Sequence, residues 1–227
     1  MKTMIIGDIH GQSEQFDGLL KRMEFSSETD NLILLGDLID RGRNSFGVVQ
    51  RVMDLKEEMG ARLVILRGSH ENLFLSHKRK DKLLWHLVGR RATVRSFLKN
   101  GEELSLYADW FRKNTVLYYA GDRFQCVHAA IENKPLTLQN EYTLMMNHLL
   151  AKKNQYRGKL TMIGHLNLPR PTYFDGSGGK GKPLPYGQIL MLPEHGIICL
   201  DTGCGRKRRP LTGMVIDEGE YRLMSCL

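Results

Sequence analysis

Short, uninterrupted apolar runs alternate with longer amphipathic segments through the first half of the chain. The runs at residues 4–6, 32–35 and 63–66 contain no polar residue, which is typical of strands that are buried on both faces. Between and after these runs, apolar residues recur at helical spacing around residues 19–23, 48–55 and 83–97. Because strands alternate with helices here, this half is predicted to form a sheet with parallel strands.

In the second half the apolar runs follow one another more closely, which predicts antiparallel pairing. They lie at residues 116–119, 124–127, 160–163, 197–200, 214–216 and 221–224. Segment 175–187 is rich in glycine and is predicted to be a mobile loop outside any element. Together the halves predict one domain over residues 1–227, of class α/β (α+β), with two mixed β-sheets packed between flanking helices.

Composition narrows the class of protein. The chain has 227 residues, of which 41 % are hydrophobic, and this is enough for a packed core. No apolar run approaches the roughly 20 residues that a membrane-spanning helix needs, so we expect a cytoplasmic protein without membrane association. The four cysteines lack the paired spacing of a zinc ribbon, and neither a structural zinc site nor a disulfide framework is predicted.

The chain is basic, with 33 Lys and Arg against 25 Asp and Glu and a formal net charge of +8. Its densest cationic run covers residues 206–209. Such a charge suits an anionic partner, and the run either attracts phosphate-bearing substrates or is simply a solvated loop beside Pro210. No aromatic residues alternate with these charges, which argues against nucleic acid as the partner.

Side chains that commonly bind metals fall where the predicted strands end. They are Asp8, His10, Asp37, His70, His128 and His165, and Ser69 lies beside His70. Because ligand sites of open α/β sheets form at the carboxyl ends of the strands, these residues are expected to converge. Carboxylates and imidazoles without thiolates suit a hydrolytic site with Mn, Fe or Zn.

Two ions would share one carboxylate in this arrangement. Asp8, His10 and Asp37 form the first ligand group, and Asp37, His128 and His165 form the second. A bridging Asp37 would hold the ions roughly 3.5–4 Å apart, a separation that suits activation of water for in-line displacement. The alternative is that each residue separately caps a turn or completes a core hydrogen bond. Metal-type side chains recur at five strand ends, which argues against this alternative.

Six motifs in fixed order resemble those of the calcineurin-like metallophosphoesterases, in particular the phosphoprotein phosphatase family in its compact bacterial and phage form. They are GDIHG (7–11), GDLIDRG (36–42), RGSHE (67–71), VHAA (127–130), IGH (163–165) and LDTG (200–203). The resemblance implies that Ser69 joins the second ligand group. It also implies that His70 is the general acid, that Asp40 orients His70, and that Arg41 clamps the phosphate; the alternative for Arg41 is a structural pair with Asp40.

The implied activity is metal-dependent hydrolysis of phosphoserine or phosphothreonine in proteins, with phosphotyrosine as a further option. The implied mechanism is in-line attack by a hydroxide that bridges two divalent ions, with Mn first and Fe, Zn or Ni as alternatives. Two other functions stay open. One is symmetrical hydrolysis of dinucleoside tetraphosphates, to which LDTGCG and LTGMVID bear some likeness, although DRG and HE favour the phosphatase branch. The other is an inactive regulator that binds phosphorylated partners.

Two departures from the family pattern concern the site itself. A second substrate arginine is expected ahead of the IGH motif, but no arginine precedes Arg157 in that region, and Arg157, Arg170 or the basic run are the candidates to replace it. Ser69 stands where the family usually has a metal-binding asparagine. Water could complete that coordination, the second ion could bind more weakly, or the enzyme could be inactive.

Overall fold

The computed structural model describes residues 1–227 and contains two mixed sheets with helices on both outer faces. The first sheet has seven strands in the spatial order β10-β13-β12-β1-β2-β3-β4. Their bounds are β1 Thr3–Ile6, β2 Asn31–Leu34, β3 Leu63–Leu66, β4 Thr115–Val116, β10 Ile189–Met191, β12 Leu211–Asp217 and β13 Glu220–Cys226. Strands β1 to β4 are parallel, whereas β12 pairs antiparallel with both β1 and β13. The predicted division between parallel and antiparallel halves is therefore confirmed within one sheet.

The second sheet has six strands in the order β5-β6-β7-β11-β8-β9. Its strands are β5 Tyr118–Ala120, β6 Gln125–Val127, β7 Thr161–Ile163, β8 Thr172–Phe174, β9 Lys182–Pro183 and β11 Ile197–Cys199. Here β6, β7 and β11 are parallel, and the outer pairs are antiparallel. Both sheets are thus mixed, as predicted. The antiparallel pairing predicted for the second half is wrong for β6, β7 and β11, because the long connections between them allow parallel crossovers.

Eight α-helices cover the sheets. They are α1 Ser13–Arg22, α2 Ser45–Met59, α3 Ser69–Leu75, α4 Arg79–Val88, α5 Arg90–Lys99, α6 Ala108–Asn114, α7 Glu141–Met146 and α8 His148–Lys152. None of the helices has the length and apolar content required to cross a membrane.

Strand alternation explains the layers. In β1, Met4 and Ile6 pack with Leu19 of α1 and Val48 of α2, whereas Ile5 points to the opposite face. Ile5 belongs to the core between the sheets, where residues of both sheets meet. Strands between two apolar layers need apolar residues at every position, which accounts for their uninterrupted apolar runs.

Several predicted elements differ in detail. The run at 116–119 is divided between the sheets, because β4 pairs with β3 and β5 pairs with β6. The helical pattern at 83–97 forms two helices that meet at Gly89, whose φ of 152° no ordinary helix residue adopts. Strands β8, β9 and β10 were not predicted. They are two or three residues long, too short for a periodic pattern.

The prediction that segment 175–187 lies outside any element is wrong, because β9 falls within it. Its two residues are exposed and pair only with β8 at the sheet edge, where a proline is tolerated. The start of the segment is tied down by Asn154, whose side chain bonds Asp175, Gly176 and Gly179.

Candidate metal centre

The predicted ligands converge at one edge of the two sheets. Asp8 and His10 follow β1, Asp37 follows β2, and Ser69 and His70 follow β3, while His128 and His165 follow β6 and β7 of the second sheet. Two sets of donor atoms lie within 4.8 Å of one another, namely His10 with Asp37 and His70, and Asp37 with His128 and His165. Asp37 belongs to both sets, so it occupies the shared position that the spacing predicted. Asp8 lies beside them, with Oδ2 4.0 Å from His10 Nε2.

Backbone strain is concentrated in these turns. His10, Asp37, Asp40, Arg41 and His165 all have positive φ, between 48° and 72°. A left-handed conformation costs a non-glycine residue about 1–3 kcal/mol, so the surrounding structure must hold each turn in place.

Glu71 holds the Asp37 turn and was not singled out from the sequence. Its fully buried carboxylate accepts hydrogen bonds from the backbone N–H groups of Gly68, Asp37 and Leu38, at 2.8–3.0 Å. Burial and the nearby charge of Asp37 raise the pKa of Glu71 to about 7. The sequence signal that could have identified Glu71 is its place in the RGSHE motif. An acid that is buried directly after a strand needs several hydrogen-bond donors around its carboxylate.

The orientations of two histidines test whether a metal fits. The Nδ1 atom of His10 lies 2.9 Å from the Ile39 carbonyl oxygen, and that of His128 lies 2.7 Å from the Leu35 carbonyl oxygen. A carbonyl can only accept, so Nδ1 is the donor and each ring directs Nε2 toward Asp37, at 3.8 and 3.5 Å. These two Nε2 atoms are the buried side-chain polar atoms of the protein that have no hydrogen-bond partner. A divalent ion is the partner that suits them, since imidazoles fixed in this way are common metal ligands.

The electrostatics of the carboxylates also suit cations. Burial opposes the charge of Asp37, but His128 and His70 outweigh it and hold its pKa well below the usual value. Burial and the neighbouring Asp201 raise the pKa of Asp8 well above its usual value. A cation between these acids would relieve both costs.

Asp201 is a second residue that the sequence reasoning did not assign, although the LDTG motif contains it. Its carboxylate is buried and accepts from the backbone N–H groups of Gly203 at 2.8 Å and Asn167 at 2.5 Å. It therefore joins the turn after β11 to the loop that carries His165.

His70 and Asp40 form a buried pair beside the ligands. The His70 Nδ1 atom lies 2.6 Å from Asp40 Oδ2, and the same carboxylate accepts from Trp85 Nε1 at 2.7 Å and from the Thr93 hydroxyl at 2.6 Å. Burial opposes the charged form of His70, but Asp37 and Asp40 outweigh it and raise its pKa. Trp85 and Thr93, which hold Asp40 in place, lie in helices that the motifs did not include.

Arg41 contacts His70 rather than Asp40. Its Nη2 atom lies 3.3 Å from His70 Nε2, and it forms no ion pair with Asp40, whose oxygens are already occupied by three donors. The alternative of a structural Arg41–Asp40 pair is therefore wrong.

Ser69 lies against the shared carboxylate. Its hydroxyl donates to Asp37, with oxygen–oxygen distances of 3.1 and 3.3 Å, and the backbone N–H of His70 donates to the same group at 2.8 Å. Ser69 thus lies where it supports Asp37, and its predicted role as a metal ligand stays a prediction.

The structure distinguishes the three candidates for the second substrate arginine. Arg157 donates through Nε to the Gly176 carbonyl at 3.1 Å, in the segment before β9. Arg170 is exposed and has no side-chain hydrogen bond. The basic run, in contrast, lines a cleft that Arg41 also lines.

Comparison with known proteins agrees with this geometry. Residues 1–190 match the family model described as calcineurin-like phosphoesterase. Among curated proteins, the symmetrical bis(5'-nucleosyl)-tetraphosphatase of Glaesserella parasuis is 30 % identical over 132 residues, which cover 58 % of this chain and 45 % of that protein. The enzyme of the same description from Vibrio parahaemolyticus is 35 % identical over 136 residues, with the same coverage. The matched part of this chain spans less than half the length of these relatives.

Solved structures share the fold at low sequence identity. A candidate diadenosine tetraphosphatase superposes with a TM-score of 0.65 at 17 % identity, covering 100 % of this chain and 94 % of that one. A serine/threonine phosphatase from Saccharomyces cerevisiae gives a TM-score of 0.56 at 13 % identity, covering 100 % and 79 %.

Proposed function

Because this chain belongs to the calcineurin-like phosphoesterase family, we propose that it is a metal-dependent phosphohydrolase whose substrates are dinucleoside tetraphosphates. The observation that carries the hydrolase proposal is the pair of partnerless Nε2 atoms of His10 and His128, both directed at the shared carboxylate of Asp37. The choice of substrate rests on curated relatives at 30–39 % identity, whose described activity is symmetrical hydrolysis of such nucleotides. These relatives outweigh the DRG and HE motifs, which favoured a protein phosphatase.

Metal ions bound here would activate water and neutralise charge on the phosphate. Asp8, His10 and Asp37 would hold one ion, with His10 Nε2 4.0 Å from Asp8 Oδ2 and 3.8 Å from Asp37 Oδ2. Asp37, His128 and His165 would hold the other, with Ser69 holding the shared carboxylate through its hydrogen bond. All five side chains of the two ligand groups are intact, which argues against an inactive regulator. Manganese is the ion we would test first.

Arg41 and His70 would act on the substrate. Charge spreads over the equatorial oxygens of the transferred phosphoryl group, and a guanidinium can contact two of them at once. His70 would donate a proton to the leaving oxygen, with Asp40 holding its ring through Nδ1. The Nε2 atom of His70 lies 3.3 Å from Arg41 Nη2, so the proton donor and the phosphate-binding guanidinium would lie on the same side of the metal ligands.

Hydrolysis of phosphoserine or phosphothreonine in proteins is the second candidate. The buried His70–Asp40 pair favours it, because a serine alkoxide must be protonated as it leaves, whereas a nucleoside diphosphate leaves readily as an anion. The structural likeness to protein phosphatases is below 25 % identity and adds only the fold.

One experiment separates the two candidates. The protein loaded with Mn²⁺ is given diadenosine tetraphosphate and a phosphoserine peptide in parallel, with Asp37→Asn as the control for contaminating activities. We expect a higher kcat/KM for the dinucleotide, with ADP as its nucleotide product. A higher kcat/KM for the peptide would assign the second function, and ATP with AMP as products would exclude symmetrical cleavage.

A further inference from the structure

A polar cleft opens beside the candidate centre on the side of Arg41. It has a volume of about 570 Å³ and no hydrophobic lining residue. Its lining includes five cationic residues, namely Arg41, Arg43, Arg206, Lys207 and Arg208. Arg41 also lies 3.3 Å from His70, so the cleft borders the place where the phosphoryl group would react.

The charge of this cleft is almost entirely positive. Its five cationic side chains face a single acidic one, Glu14, and none of the five takes part in an ion pair. Like charges gathered around one cavity repel one another, so a bound anion would stabilise the arrangement. The first turn of α1 also borders the cleft, and no side chain caps its N–H groups.

The basic run is fixed next to the centre by its backbone. Gly205 has a φ of 82°, and a Cβ atom there would lie 2.7 Å from the Cβ of His10 and 3.3 Å from the Cβ of Arg41. Only a glycine allows this close approach. The residues after it therefore begin directly beside His10 and Arg41.

Arg206 is held in addition by its side chain. With the Asn167 amide oxygen turned toward the guanidinium, that oxygen accepts from Nη2 at 2.9 Å and from Nε at 3.1 Å. The backbone N–H of Asn167 donates to Asp201, so this contact is anchored in the core. Nη1 stays free for an external acceptor, and a guanidinium placed in this way loses little entropy when it binds a phosphate.

We infer that this cleft is a second anion subsite, which binds the phosphate groups adjacent to the scissile one in a polyphosphate chain, with Arg206 as its principal contact. The inference rests on the proposed function and adds how the substrate would be selected. Substrates with several contiguous phosphates would occupy both the centre and the cleft, whereas a single phosphate ester would occupy the centre alone. Arg206 would thereby supply the second substrate arginine that the segment before His165 lacks.

Binding of inorganic tripolyphosphate to the metal-loaded protein tests this subsite without requiring turnover. Calorimetry at constant free Mn²⁺ would compare wild type with the triple variant Arg206→Gln, Lys207→Gln, Arg208→Gln. The control is Lys152→Gln, Lys153→Gln, Lys180→Gln, which removes the same charge from exposed positions that do not line the cleft. We expect the cleft variant to bind tripolyphosphate at least about tenfold more weakly, and the control variant to stay within about twofold of wild type.

A kinetic comparison completes the test. In the cleft variant, the ratio of kcat/KM for diadenosine tetraphosphate to kcat/KM for p-nitrophenyl phosphate should fall at least about tenfold. Equal loss of tripolyphosphate affinity in both triple variants would mean that only net charge matters, and the subsite would be refuted. Unchanged tripolyphosphate affinity with weaker binding of an oligonucleotide or a phosphopeptide would refute it as well. If the dinucleotide is not hydrolysed but tripolyphosphate binding falls as expected, the proposed substrate is wrong while the subsite stands.

Discussion

The two ligand groups that share Asp37 are built differently. His10 of the first group is completely buried, and its ring is fixed by the backbone carbonyl of Ile39, in the loop after β2. His165 of the second group is partly exposed, and its Nε2 atom makes only a 3.3 Å contact with the Met146 carbonyl. Burial and the neighbouring His128 lower the pKa of His165 to about 3. The difference lies in His165, because His128 of the second group is as completely buried as His10 and its ring is fixed by the Leu35 carbonyl in the same way.

Ser69 adds to this difference. In the second group it offers a hydroxyl that donates to Asp37, and this side chain is shorter and its oxygen is a poorer ligand than the amide oxygen of asparagine. We therefore expect the second ion to bind more weakly than the first. Four substitutions test this difference, beginning with the one that is expected to have the largest effect.

Asp37→Asn is expected to have the largest effect, because it removes the charge that both groups share. Both ions should bind more weakly, and turnover of p-nitrophenyl phosphate should fall by about 10³–10⁵-fold, since the ions contribute several kcal/mol to the transition state. Metal analysis after dialysis and steady-state rates would measure this. Asp217→Asn, an exposed change at the end of β12, is the control. Unchanged metal content together with unchanged activity would disprove the shared centre.

His70→Asn should retain both ions and still lose much of its turnover. For a phosphoserine peptide we expect a loss of about 10²–10⁴-fold, the usual contribution of a general acid. The loss should be smaller for p-nitrophenyl phosphate, whose leaving group needs little protonation. His77→Asn, at an exposed position, serves as the control. A loss below about threefold on the peptide would remove His70 from this role.

His165→Asn should separate the two groups directly. Asparagine tolerates the positive φ of 65° at this position, so the fold should be kept. Affinity for one ion should fall by at least about 10–100-fold, with the other ion retained. The matched control is His148→Asn, an exposed ring whose centroid lies 6.2 Å from that of His165. Loss of both ions in His165→Asn would show that the groups are not independent.

Ser69→Asn should have the smallest effect, and in the favourable direction. An amide oxygen can serve as a neutral ligand, so affinity for the weaker ion should rise by up to about tenfold, with higher activity at limiting Mn²⁺. Ser69→Ala removes the hydroxyl without adding a ligand and should give no such gain. If wild type binds two ions with equal affinity and Ser69→Asn changes nothing, Ser69 has no influence on metal binding.

Residues that follow strands were predictable, because strand ends and glycine turns can be recognised locally. This is why Asp8, His10, Asp37 and His70 were all identified before the structure was known, and why their convergence is confirmed. Residues that support them from a distance were not predictable. Trp85 and Thr93 both bond Asp40, yet they lie in helices where nothing in the local pattern distinguishes them from other core residues.

The amino-acid sequence alone determined the two mixed sheets, the ligand types and their order, because burial on both faces of a strand and tight glycine turns leave a local signature. How these parts meet depends on contacts between distant residues of the fold. The tertiary structure divided residues 116–119 between two sheets and directed Ser69 toward Asp37. It also placed Arg206 beside Arg41, through a glycine contact and an Asn167 hydrogen bond across 39 positions of chain (206 − 167). Contacts between residues so far apart depend on packing and on the closest approach of backbones, which no local pattern of residues records.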